Sequence, residues 1–150
     1  MTVDFAIKKV PSYRVASIVR VGPWKEGILR PEFRELMAWA KKHHLRTGKW
    51  IFQSPKDDRW EACLEIRGAA RSEGRIQVKT LKAGHAAYAI FDPDEIADRI
   101  IYHGLNDWLR WRRKDGEITA VRGHREVYSG DPWTDPTAWA HCEVQFLVRK

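Results

Sequence analysis

Glu126 and Tyr128 stand two residues apart in the stretch His124-Arg-Glu126-Val-Tyr128-Ser-Gly-Asp-Pro132. The stretch reads as a short strand running into a turn. On a strand, a spacing of two puts the carboxyl and the phenol on one face. A carboxylate in a ring-lined cleft loses its water and is costly to ionise unless a cation or a donor meets it. An organic cation would relieve that cost, and aromatic faces would add cation–π attraction and apolar contact. The chain has eight tryptophans, five phenylalanines and four tyrosines to supply such faces. The expected ligand-binding set is Glu126, Tyr128, Trp50, Phe52, Trp24, Trp39 and Trp108. Against it stands a plainer reading, in which Glu126 is a surface residue paired with Arg122, His124 or Arg125. Trp39 and Trp108 fall on helix stripes, where core packing competes with ligand contact.

A carboxyl whose pKa is raised by burial also suits general acid or base work. If the chain is an enzyme, Glu126 is the expected catalytic residue, activating water toward an electrophilic carbon. No serine or cysteine nucleophile constellation is present. Cys63 and Cys142 read as small apolar residues, and there is no CxxC. The six histidines show no HExxH or comparable spacing, so no metal site is expected. Neither a GxGxxG nor a P-loop occurs, and no cofactor is expected.

The chain of 150 residues suits one domain with a substantial core, and 43% hydrophobic residues exclude global disorder. The formal charge of +7 would permit an acidic partner. Yet the basic residues are dispersed, and the densest run, Arg110-Trp-Arg-Arg-Lys114, suits a helix C-terminus. No window of about 18 apolar residues could cross a bilayer, so no membrane partner is expected. Two cysteines argue against a disulfide scaffold, and the N-terminus lacks an apolar run of signal length. A reducing, cytoplasmic setting is the expectation.

Positioning these residues takes a regular series of elements. Val3 to Val10 and Tyr13 to Val21 read as strands separated by Pro11-Ser12. Phe33, Leu36, Met37 and Ala40 recur with helical period, with Pro31 at an early helical position. Trp50 to Gln53 and Trp60 to Arg67 read as the next strands, joined by a polar turn over Ser54 to Asp58. After the stretch 68–74 the order repeats. Strands fall at Gly74 to Lys82 and Gly84 to Phe91. A helix capped around Asp92-Pro-Asp-Glu95 carries the stripe Ile100, Ile101, Leu105, Trp108, Leu109 and Arg112. The Glu126 strand, a proline-rich turn and a last strand from Trp139 to Arg149 follow.

The repeat is visible residue by residue. Ile7-Lys8 matches Val78-Lys79, and Ala16 matches Ala87, both at a spacing of 71. Phe33, Leu36 and Trp39 match Tyr102, Leu105 and Trp108. Trp50-Ile-Phe52 is set against Glu126-Val-Tyr128, which makes Trp50 the counterpart of Glu126. Trp60 and Cys63 are set against Trp139 and Cys142. The expected fold is α+β: two pseudo-symmetric ββαββ-type repeats, about 3–67 and 75–149 with a linker at 68–74. They form an antiparallel sheet of about eight strands with two long helices and a cleft between the repeats. One domain would cover 1–150. With both halves used by the repeat, no helix-turn-helix fits, and direct DNA binding is not expected.

In this order of motifs the chain resembles the GyrI-like family, the AraC-type effector-binding domain with its Rob-like two-repeat fold. The likeness is carried by Ile7-Lys-Lys-Val10-Pro11, Arg14-Val-Ala16, Gly22-Pro23-Trp24, Leu36-Met-Ala-Trp39, Phe52-Gln-Ser-Pro55, and Glu126-Val-Tyr128 before Asp131-Pro132. It spans essentially the whole chain. The resemblance implies a domain that binds small hydrophobic or cationic organic molecules, with Glu126 at the family's acidic pocket position. It also implies two alternatives: a hydrolase opening reactive cyclopropane rings in the same cleft, and a protein-binding inhibitor of a topoisomerase such as DNA gyrase. The sequence departs from the family at Trp24, commonly tyrosine, and at Gln53-Ser-Pro55, commonly more acidic.

Overall fold

The computed structural model describes residues 5–56, 58–91 and 98–150, with the side chains at 55, 56, 91 and 98–101 left out. Val3, the cap at 92–95 and the side chains of Ile100 and Ile101 therefore lie outside the described residues. In chain order the elements are β1 (Ala6–Val10), β2 (Tyr13–Val21), α1 (Arg30–Lys42), β3 (Arg46–Lys56), β4 (Arg59–Arg67), β5 (Gln77–Leu81), β6 (Gly84–Phe91), α2 (Asp98–Lys114), β7 (Ala120–Tyr128), α3 (Pro136–Ala140) and β8 (Cys142–Arg149). All eight strands join one antiparallel sheet in the order β1-β6-β8-β7-β3-β4-β2-β5.

That order forces curvature. β1 and β5 lie at opposite edges of the sheet, yet only Pro11 and Ser12 separate β1 from β2, the neighbour of β5. Lys82 and Ala83 likewise separate β5 from β6, the neighbour of β1. The two edges are drawn together, and the sheet curls into a half-barrel. Tyr13, Val15, Ile51, Cys63, Leu81 and Val127 form a small buried cluster on its concave side. The larger cluster lies on the other, convex side, under the helices. Phe33, Leu36 and Ala40 of α1 and Leu105 and Leu109 of α2 pack there, each at most 3% exposed.

The registers repeat between halves. Ile7 pairs Ala87 as Val78 pairs Ala16. Ala16 pairs Leu64 as Ala87 pairs Phe146. At the centre, Trp50 pairs Tyr128, Phe52 pairs Glu126, and Ser54 pairs His124. These pairings map onto one another only if the pseudo-twofold runs through the Phe52–Glu126 pair. Phe52, not Trp50, is therefore the counterpart of Glu126. The register shift in β3 between Thr47 and Trp50 is repeated in β7 between Val121 and His124, so the bulge too belongs to both halves. The match of Cys63 to Cys142 also fails. Cys63 pairs Ile51 on the concave side, where its equivalent is Gln145, while Cys142 lies under the helices.

One local feature departs from the sequence reading, and one is strained. Trp139 sits on α3 rather than opening the last strand, because Asp135 caps a helical turn there. Asp135 Oδ1 accepts from the Thr137 N–H at 2.9 Å, and Pro136 occupies the first position. At the start of α1, Leu29 takes a left-handed backbone (φ 69°) with no side-chain cap. That costs roughly 1–2 kcal/mol for a residue with a Cβ. The complete burial of its side chain, 0% exposed, offsets it with about 1.5–3 kcal/mol.

Candidate functional site

Glu126 lies near the C-terminal end of β7 on the helix side of the sheet, half-buried. Both its carboxylate oxygens are occupied by phenols. Tyr128 Oη donates to Oε2 at 2.9 Å, from two residues along the strand. Tyr102 Oη, from α2 above, donates to Oε1. Phenols are neutral at physiological pH, so they fill lone pairs without cancelling the charge. Burial, then the Glu126 charge, pushes the Tyr128 phenol well above its usual range, so it remains a donor.

Next along the same face is His124. Its ring stands 5.7 Å from Tyr102 and 5.6 Å from Phe146. Burial holds its pKa below the usual 6.5, with Glu126 pulling only partly the other way. His124 is thus neutral at pH 7 and supplies no counter-charge to Glu126. No ion pair to Glu126 occurs among the described residues.

Across the pseudo-twofold the chemistry is apolar. Phe33 of α1 stacks on Trp50 at 4.6 Å and meets Phe52 at 4.7 Å. Phe52 in turn meets the Tyr128 ring edge-on at 5.2 Å, which links the ring stack to the acid. Trp133, from the turn after β7, closes over the group at 5.3 Å from Phe52 and 6.3 Å from both Phe33 and Trp50. Its backbone N–H is fixed by Asp131 Oδ1 at 2.9 Å, and the Arg30 guanidinium lies 5.7 Å from its ring.

Of the residues expected from the sequence, Glu126, Tyr128, Trp50 and Phe52 come together. The other three make their contacts elsewhere. Trp24 is 65% exposed in the loop before α1. Trp39 donates through Nε1 to Glu73 at 2.9 Å and packs against His43. Trp108 packs against Phe5 and under the Arg112 guanidinium. Sequence reasoning missed Tyr102, His124, Phe33, Trp133 and Phe146 as members of the group. The match of Phe33 to Tyr102 was the available signal, since it placed both rings over the central strands.

Among the described residues, no group of three or more histidine, cysteine or acidic side chains could hold a metal ion. No helix there is long and apolar enough to cross a membrane. An open concavity of about 610 Å³ runs along α2 past His103, Asn106, Arg110, Arg113 and Val121, and it does not include Glu126.

No family model and no curated protein matches the chain. Solved structures do. The C-terminal domain of EcmrR superposes with a TM-score of 0.75 at 19% identity, covering 100% of this chain and 99% of that one. A hydrolase from Listeria innocua gives 0.60 at 11% identity, over 97% of this chain and 91% of its own. SAV2435 bound to tetraphenylphosphonium gives 0.55 at 9% identity, over 97% and 94%. At these identities the likeness is one of fold. The chain has the fold of the EcmrR C-terminal domain and of SAV2435, the architecture that the GyrI-like resemblance implies.

Proposed function

We propose that this chain is a small-molecule-binding domain of the GyrI-like type, taking hydrophobic organic cations against Glu126. The observation that carries the reading is a half-buried carboxylate that makes no ion pair among the described residues, beside a histidine, His124, whose pKa burial holds down. Two phenols satisfy its oxygens but leave its charge uncompensated. A cationic ligand supplies that charge, and Trp50, Phe52 and Tyr128 supply ring faces beside it. The tetraphenylphosphonium held by SAV2435, a neighbour in fold, supports this ligand class. Trp133, partly exposed and 5.3 Å from Phe52, stands at the rim of these rings. Titration with tetraphenylphosphonium, read by tryptophan fluorescence, tests the proposal. Saturable quenching, reversed by a second lipophilic cation, is expected; a linear, non-saturating response contradicts it.

A second reading uses the same residues for hydrolysis of an electrophilic cyclopropane, favoured by the phenols that flank the acid. Glu126 would take a proton from water as the water oxygen bonds to a ring carbon. The ring C–C bond breaks, Tyr102 protonates the released carbon, and Glu126 returns its proton to the Tyr102 oxygen bonded to it. The fold neighbour from Listeria innocua described as a hydrolase is consistent with this. Time-dependent loss of such a substrate, abolished in Glu126→Gln, separates turnover from binding.

A further inference from the structure

On the concave side of the sheet, directly behind Glu126, lies Arg125. It is 1% exposed. Its Nε donates to the neutral amide oxygen of Gln145 at 2.8 Å. Its Nη2 is buried with no hydrogen-bond partner among the described residues, and the guanidinium carbon lies 5.8 Å from the Tyr13 ring centre. An arginine keeps its charge at any pH the fold survives. A buried charge without a counter-ion is strongly unfavourable.

Two acids on this face are neutralised by lysines and a third, Glu65, meets only a backbone N–H; Glu143 also attracts Arg125 at longer range, without a direct ion pair. Glu143 accepts from Lys8 Nζ at 2.6 Å and from Gln145. Glu61 accepts from Lys79 Nζ at 2.5 Å and from Gln53 at 2.8 Å. Glu65 accepts the Lys49 backbone N–H at 3.0 Å. No carboxylate pairs with Arg125 among the described residues.

The internal repeat acts as a control. Lys8–Glu143 and Lys79–Glu61 are equivalent pairs, so both halves build that ion pair. Arg125 and Gln145 have no such echo: their equivalents are Ile51 and Cys63, both 0% exposed. The scaffold closes this position with apolar side chains in one half. Folding therefore does not call for the guanidinium in the other.

We propose that the concave side holds a small monovalent anion of chloride size on Arg125 Nη2. Lys8 and Lys79, 37% and 36% exposed, add positive charge to the same face. Glu61 and Glu143 on the same face disfavour a dianion such as phosphate. Ser17 Oγ is also buried on this face, without a hydrogen-bond partner among the described residues.

The test compares the unfolding midpoint of the protein in sodium chloride, bromide and gluconate at equal ionic strength. Chloride and bromide are expected to raise the midpoint above gluconate in the wild type. The difference should vanish in Arg125→Ile/Gln145→Cys, which copies the other half. Should that variant fail to fold, crystals of the wild type grown in bromide decide alone. An anomalous peak within contact of Nη2 upholds the proposal. Equal midpoints in all three salts, or a water at Nη2 with no anomalous signal, overturns it.

Discussion

At the cleft, Phe33, Trp50 and Phe52 of the first half occupy the places that Tyr102, His124 and Glu126 hold in the second. The contact geometry is shared: Phe33 leans from α1 onto Phe52 as Tyr102 leans from α2 onto Glu126. One contact is ring against ring, the other phenol against carboxylate. The scaffold needs bulk at these positions and accepts either chemistry. A polar group that the fold does not demand, half-buried where it costs desolvation, points to selection for something other than stability. The concave side repeats the lesson, with Ile51 and Cys63 set against Arg125 and Gln145.

The comparison predicts unequal consequences when each half is cut at its own kind of contact. Phe33→Ala removes a fully buried ring and should cost about 3–5 kcal/mol in chemical denaturation. Tyr128→Phe strips one donor from Glu126 and should cost about 1–3 kcal/mol, since the bond is to a charged group. Tyr102→Phe strips the other donor from Glu126 and should likewise cost about 1–3 kcal/mol. If the Phe33 and Tyr102 variants lost equal stability, the division into a packing half and a chemical half would be wrong.

His124 adds a pH signature to the polar half alone. Its folded pKa is depressed by burial, so the unfolded chain takes up the proton first. Its contribution to stability is therefore present above about pH 6.5 and is lost as pH falls through the folded value. Thermal unfolding between pH 7.5 and 5 should show a falling midpoint that is flatter in His124→Gln. The smallest effect belongs outside both halves. Arg110→Glu and Arg113→Glu, on the exposed run of α2, should shift stability by no more than about 0.5 kcal/mol. They should also leave cation binding unchanged. A large loss of binding there would move the function to the basic surface, as the topoisomerase-inhibitor alternative requires.

Much of this arrangement was legible in the sequence. Strand alternation placed Glu126 beside Tyr128, the helix stripe placed Phe33 and Leu36, and the 71-residue spacing tied β1 and β2 to β5 and β6. The counterpart of Glu126 was misread because pattern matching favoured the aromatic pairs at its ends. Only the ladder register fixes that equivalence. Trp133 was hidden because a turn residue carries no periodicity. The Arg125–Gln145 pair was hidden for another reason. An alternating strand normally has one wet face, and a charged residue on it reads as solvent-exposed. The curl of the sheet buries that face too, and curl comes from connections rather than from any one strand.

The most direct test of the central claim is calorimetric. Tetraphenylphosphonium and the neutral triphenylphosphine oxide are titrated into the wild type and into Glu126→Gln, which keeps shape while removing charge. The account predicts that the cation loses about 10- to 100-fold in affinity in the variant, equivalent to about 1.4–2.7 kcal/mol. The neutral compound should bind both proteins alike. If the cation binds the variant as tightly as the wild type, Glu126 does not select charge, and the cleft is an apolar pocket alone.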